Sequence, residues 1–250
     1  MKIIFTYFVL TILTQLTYGQ GIEPINTDRP DQSDGTYILT ANKFQLETGL
    51  IFSQSNNQLT DIAQSTMLRY GVSKKLEVRL LINAGFNSAD AFKTKNFGLS
   101  PVSMSAKRSL CKQKGMWPAI TAVGYLKLPF TASKTYQIDY FAPAFLFAFQ
   151  NDFTEKLSLG YNAGITWDGV ERQNSYEATV SLSYSLSGKF SMFGEYFAMF
   201  TKIDSPSHNV DFGTQYLINS SLQIDLATGS SLFNNSQSVF ETLGISYRFK

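Results

Sequence analysis

The side chains that could do chemistry are few and scattered along 250 residues. His208 is the single histidine and stands beside Ser207, in a segment that reads as a loop. A nucleophile and base are recognised by geometry, which two neighbours in a loop do not supply. Cys111 is the single cysteine, so no disulfide can form within the chain. One His and one Cys far apart give no ligand cluster, so no metal site is assigned; calcium on external-loop carboxylates such as Asp168 and Glu171 stays open. What remains is carboxylates: Glu47, Glu77, Glu177, Glu195, Asp211 and Asp225. Two at close range would suit glycosidase or aspartic chemistry. Counting back from the turn at 187–189 sets Glu195 opposite about Ser181, while the turn at 219–221 sets Asp225 opposite about Gln215. Acids on neighbouring strands would then be staggered by roughly 13 Å at a rise of ~3.3 Å per residue. The expectation is no catalytic residue, no enzyme and no cofactor.

The elements that carry these residues are strands. Leu157, Leu159, Tyr161, Ala163, Ile165 and Trp167 alternate with Ser158, Gly160, Asn162, Gly164 and Thr166. From Tyr176 to Leu186 the pattern repeats, with Glu177, Thr179, Ser181, Ser183 and Ser185 on the polar face. Period-two alternation gives a strand one apolar and one polar face. Each run matches a tilted membrane-spanning strand of roughly 9–11 residues. The polar face holds small residues rather than the Lys and Glu of a surface in bulk water. Charged residues are only 16% of the chain, below the ~25% of soluble proteins.

From residue 43 onward, alternation and turn signals predict about twelve strands. Short connections at 71–75, 151–156, 187–189 and 219–221 alternate with longer polar ones at 88–96, 131–138, 168–175, 201–209 and 233–239. Outer-membrane barrels show this asymmetry of periplasmic turns and external loops. An open sheet edge in lipid would strand backbone polar groups, so the first strand, 44–53, should pair with the last, 240–249. The fold expected is all-β, a closed antiparallel transmembrane β-barrel with an irregular N-terminal segment. Leu243, Ile245, Tyr247 and Phe249 resemble the C-terminal signal that barrel-insertion machinery reads, with Lys250 as a departure.

Residues 1–19 combine Lys2, an apolar run from Ile3 to Leu13, and small residues at 17 and 19, the pattern of a cleaved secretory signal. Residues 20–42 are polar and irregular, with Asp28, Arg29 and Asp31 around Pro30; they are either a solvated leader or a partial plug in the periplasmic mouth. The barrel would span 43–250. A net charge of +2 gives no reason to expect nucleic acid as partner; the partners expected are outer-membrane lipid, the insertion machinery and a small-molecule solute.

Thr27-Asp28-Arg29-Pro30-Asp31, Phe44-Gln45-Leu46-Glu47, Leu68-Arg69-Tyr70-Gly71, Leu76-Glu77 and Gln223-Ile224-Asp225 resemble a family of outer-membrane transporters named for the meta-pathway of phenol degradation. That resemblance implies a barrel passing aromatic or other small solutes across the outer membrane of a Gram-negative bacterium. The alternative is an occluded structural barrel whose external loops bind a partner. On the inner face the expected lining is Glu47, Arg69, Glu77, Arg79, Glu177, Glu195, Asp211, Gln215, Asp225 and Arg248, with Lys107 and Lys127. Arg69 should oppose and pair with Glu77. Arg248 should tie to Glu47 across the closing strands. The signs nearly cancel, which predicts weak conductance without strong ion preference. Phe141, Phe145 and Phe149 are expected to offer the lumen apolar surface.

Overall fold

The computed structural model describes residues 23–55, 58–87, 96–202, 204–233 and 238–250. Thirteen strands run in chain order: β1 (Phe44–Ser55), β2 (Gln58–Ser73), β3 (Leu76–Asn87), β4 (Asn96–Leu99), β5 (Ser103–Cys111), β6 (Ala119–Lys127), β7 (Ala142–Asp152), β8 (Leu157–Trp167), β9 (Asn174–Ser185), β10 (Phe190–Phe200), β11 (Ser207–Asn219), β12 (Leu222–Leu232) and β13 (Ser238–Arg248). Every pairing is antiparallel, and β1 pairs with both β2 and β13, which closes the sheet. β4 and β5 both pair with β3, β4 beside its outer half and β5 beside its inner half. They are one stave broken at residues 100–102, where Pro101 offers no N–H to a ladder. The barrel therefore has twelve staves among the described residues.

The alternation sorts side chains as the sequence requires. Asp211 is 0% exposed and its neighbour Phe212 is 64% exposed. Leu50, Val78, Leu182, Leu226 and Leu243 are likewise exposed, while Glu47, Arg69, Glu77, Lys107 and Glu195 are buried. This is an inside-out distribution, stable where lipid meets the outer face. Among the described residues no helix is long and apolar enough to cross a membrane. One end of the barrel has the tight turns, including 74–75 and 220–221, and there the Phe249 N–H donates to the Phe44 carbonyl at 2.8 Å. Its longest connection, 112–118, carries a small bridge between Lys114 and Trp117.

Three expectations change here. The phenylalanines at 145 and 149 point outward: Phe145 is 59% exposed, and Phe149 stacks on the outward Tyr161 at 5.0 Å. Phe141 lies before β7, packed edge-on against Phe130 of the external loop. The strand begins at Ala142, later than expected, and its even-numbered positions, among them Ala142, Leu146 and Ala148, take the inner face while 145, 147 and 149 face out. In the β2–β3 hairpin β2 runs on to Ser73 with a register shift after Gly71, so Arg69 opposes Arg79 and Glu77 opposes Gly71. His208 lies inside β11 rather than in a loop; its imidazole meets the Tyr196 hydroxyl at 2.6 Å and packs among Phe200 and Phe233 at the outer rim.

Candidate functional site: the charged lumen and its leader

The inner wall meets residues 25–39, which run through the barrel. Entering at the tight-turn end, the Ile25 N–H donates to the Ser220 carbonyl at 2.9 Å. Gln223 on β12 donates to Thr27 Oγ1 at 2.8 Å. Asp34 exchanges hydrogen bonds with Asn162 on β8, at 2.7 and 3.0 Å. Thr36 reaches Gln150 on β7, and Thr121 on β6 donates to the Thr36 carbonyl, both at 3.0 Å. The Leu39 N–H donates to Glu77 at 2.6 Å before the chain turns into β1. The segment thus touches staves on all sides.

Asp28 is the centre of the largest charged group. Its carboxylate meets Arg79 Nη1 at 2.9 Å, Lys107 Nζ at 2.8 Å and Arg69 Nη1 at 3.5 Å. Arg69 also holds Glu47 at 2.6 Å and forks onto both oxygens of Glu77, at 2.6 and 3.1 Å. The Arg69–Glu77 contact is therefore a diagonal one, made possible by the long arginine. Arg79 adds Asp34 at 2.6 Å, and its guanidinium lies 4.9 Å from the centre of the Tyr125 ring. Tyr125 in turn donates to Asp34 at 2.6 Å. Burial pushes the Asp28 carboxyl upward, but Arg69, Lys107 and Arg79 outweigh it and hold Asp28 well below the usual carboxylate range. Each charge is compensated in place, which is the condition for keeping ions out of bulk water.

Arg29 makes the second contact, at the closing seam. Its guanidinium meets Asp225 at 3.1 Å and Thr242 at 2.7 Å. Gln215 donates to its carbonyl at 2.7 Å. Gly49 and Gly244 are opposed across β1 and β13, and a Cβ at either would strike this guanidinium. Two glycines thus hollow the wall where the arginine lies. Arg248 faces inward but does not reach Glu47. It donates to the carbonyls of Glu23, Pro24 and Ser220, because Gln45, not Glu47, opposes it in the seam. The expected tie is replaced by a clamp on the start of the leader.

Asp31, Glu195 and Asp211 form the third group. Glu195 and Asp211 are directly opposed across β10 and β11. The expected stagger holds where a tight turn sets the register, since Glu195 opposes Ser181 and Asp225 opposes Gln215. It fails across the external loop, whose length conceals the register from a residue count. Glu195 accepts the Gln32 N–H at 2.7 Å and the Ser33 hydroxyl. Burial, then Glu195, Asp28 and Asp211, push the Asp31 carboxyl upward. Glu177 faces inward on β9 opposite Met199 and Gly164, with no ion pair among the described residues. Lys127 is exposed at the end of β6. Among the described residues no group of three His, Cys, Asp or Glu side chains could hold a metal ion.

Apolar side chains also line parts of the inner wall. Val123, Leu146 and Ala148 form a buried cluster with Tyr125. Phe193 is buried on the inner face of β10, and the rings of Phe197 and Phe240 lie 6.3 Å apart. Gly213 and Gly229 make their room, since a Cβ at either would meet the ring of Phe193 or Phe240. The sequence held a signal for these: Phe193 and Phe197 share the parity of Glu195, and glycines occupy inward positions on the next strands. At the tight-turn end, a cavity of about 520 Å³ opens beside Ser191, Gln215 and Gln223, with Lys156 and Lys189 at its rim.

Over residues 27–249 the chain matches the model of a family described as "Putative MetA-pathway of phenol degradation". No curated protein matches it. Among solved structures it is similar to an outer membrane channel from Pseudomonas putida F1, with a TM-score of 0.68 at 14% identity over 90% of this chain and 100% of that one. The NanC porin superposes with a TM-score of 0.62 at 10% identity, over 81% of this chain and 98% of that one. The Pseudomonas putida toluene transporter TodX gives 0.51 at 7% identity, over 90% and 94%. At these identities the likeness is one of fold.

Proposed function

A chain matched from residue 27 to residue 249 belongs to that family, and on this premise we propose that it is a passive outer-membrane channel for small apolar and aromatic solutes. The observation that carries this reading is the division of the inner wall. One part is polar, and its cations are matched by acids of the leader and of the wall itself. The other is an apolar surface of Val123, Leu146, Ala148, Phe193, Phe197 and Phe240. A pore for ions lines its constriction with one sign of charge; here the cations at 69, 79 and 107 face acids at 28, 34, 47 and 77. The fold relatives support the reading in kind, being a channel, a porin and a toluene transporter.

On this reading the leader expected at residues 20–42, described from residue 23 onward, is a partial plug of the lumen, and 43–250 are the barrel. Residues 1–19, the expected export signal, lie outside the described residues. Outer-membrane lipid meets the exposed apolar wall, and the aromatic C-terminus is what the insertion machinery of a Gram-negative cell would engage. The test is flux into liposomes carrying the purified protein. Entry of toluene or phenol should exceed entry of a sugar of similar size, and a planar bilayer should show small, weakly selective currents. A large current with strong anion or cation preference would reject the proposal.

A further inference from the structure

The third charged group has a feature the transport reading does not use. Asp211 is wholly buried, and neither of its carboxyl oxygens receives a donor from the protein. It stands directly opposite Glu195, its cross-strand partner on β10, on the same inner face of the wall. Glu195 is also buried, and its two oxygens already accept from the Gln32 N–H and the Ser33 hydroxyl. On the other side of Glu195, Ser181 is buried with its hydroxyl unpartnered. Among the described residues no lysine or arginine pairs with Asp31, Glu195 or Asp211. The carboxyls do not form a metal-binding group either. Two opposed buried carboxylates cannot both ionise cheaply, because like charges in a poorly solvated site repel strongly.

We propose that Glu195 and Asp211 share one proton, and that this carboxyl–carboxylate pair is a pH-sensitive latch holding the leader at Gln32 and Ser33. Asp211 carries the proton and donates it to Glu195, which is thereby fixed as the acceptor for the leader. When the pH rises, the proton passes to solvent and the pair carries two negative charges. Those charges face Asp31, one residue before Gln32, and repel it. The other groups around the pair do not offset this. On the leader, Asp28 is committed to Arg69, Arg79 and Lys107, and the Arg29 guanidinium to Asp225 on β12. On β9 the facing groups are Thr179, Ser181 and the acid Glu177; on β12 Gly229 opposes Asp211. A buried acid that is protonated in the folded state contributes while the proton is bound, so the latch holds at low pH and loosens as pH rises.

This does not depend on conduction, and its test keeps the two ideas apart. Infrared spectra of the protein in detergent should show a protonated-carboxyl carbonyl band that disappears as pH is raised. That component should be missing in Asp211→Asn and retained in Asp31→Asn. Hydrogen exchange then reads the leader. Relative to Asp211→Asn at the same pH, the Gln32 and Asp34 amides of the unsubstituted protein should lose protection on the alkaline side. The Leu39 amide, held by Glu77, should keep its protection in both. The asparagine amide donates to Glu195 at every pH, so this variant is a permanently closed latch. A band whose intensity is undiminished in Asp211→Asn overturns the shared proton. Protection at Gln32 that follows the same pH course in both proteins overturns the latch, whatever the liposomes show.

Discussion

Asp28 joins the leader to three cations of the wall at once, and this makes it the most exposed point in the network to substitution. Removing one partner from a buried charged group leaves the others uncompensated, typically at about 3–5 kcal/mol. Asp28→Asn should cost that order in leader docking, read as lost hydrogen-exchange protection at residues 27–36 while barrel amides keep theirs. Acid should mimic the substitution. A carboxyl held far below its ordinary value of 3.8 contributes fully above that value and loses its contribution as pH falls below it. Leader protection in the unsubstituted protein should therefore fall below about pH 4, and Asp28→Asn should be flat there. A charge-swapped Arg69→Glu with Glu77→Arg pair is expected not to rescue folding. Arg69 also serves Glu47 and Asp28, so the swap sets a third acid beside two others.

At the level of the strand, glycines decide how far the wall approaches what lies inside. On β11 and β12, Gly213 and Gly229 leave the space that the inward rings of β10 and β13 fill. A methyl at 213 would meet the Phe193 ring and stand 2.8 Å from Ala227 Cβ. Overpacking of this kind costs about 1–3 kcal/mol and moves side chains off their rotamers. Gly213→Ala should still assemble, shown by heat-modifiable migration on a gel, while Phe193 is driven toward the lumen. Its toluene flux should fall relative to the unsubstituted protein with sugar flux unchanged. Equal loss of both solutes would mean that the ring does not line the apolar route. The break at 100–102 divides a stave into β4 and β5, and the Ser133 hydroxyl and Thr131 side chain of the following loop accept the freed N–H groups of Leu99 and Val102. That loop fills in for the missing ladder at the outer rim.

For the whole molecule, the leader is what separates a lined lumen from an open one. A chain with residues 20–38 deleted keeps every strand and the seam between β1 and β13, so it should insert and close. Its inner wall would lose Asp28 and Asp34, leaving Arg79 and Lys107 without acids, whereas Arg69 keeps Glu47 and Glu77. The deletion should conduct far more than the full chain, since the segment that fills the lumen is gone. Planar-bilayer currents of the two proteins side by side decide it; equal conductance would show that the leader does not block the route.

Alternation by itself determined the architecture of this protein. Side chains point to opposite faces at every step along a strand, so Leu157–Leu186 sufficed to identify a wall with a polar inside, and the closed sheet followed from the cost of an open edge in lipid. Inward parity also put Glu47, Arg69, Glu77, Glu195, Asp211 and Arg248 on the inner face, where they are. Tertiary structure alone decided who meets whom. The shift after Gly71 turned a directly opposed Arg69–Glu77 pair into a diagonal one, and the long loop between β10 and β11 hid the opposition of Glu195 and Asp211. The leader has no periodicity to read, so nothing in its residues places Asp28 among three cations or Arg29 against Gly49 and Gly244. Contacts between an irregular segment and the inside of a barrel are fixed by closure in three dimensions, and residues 196 positions apart, such as Arg29 and Asp225, become neighbours only when the wall has curled around them.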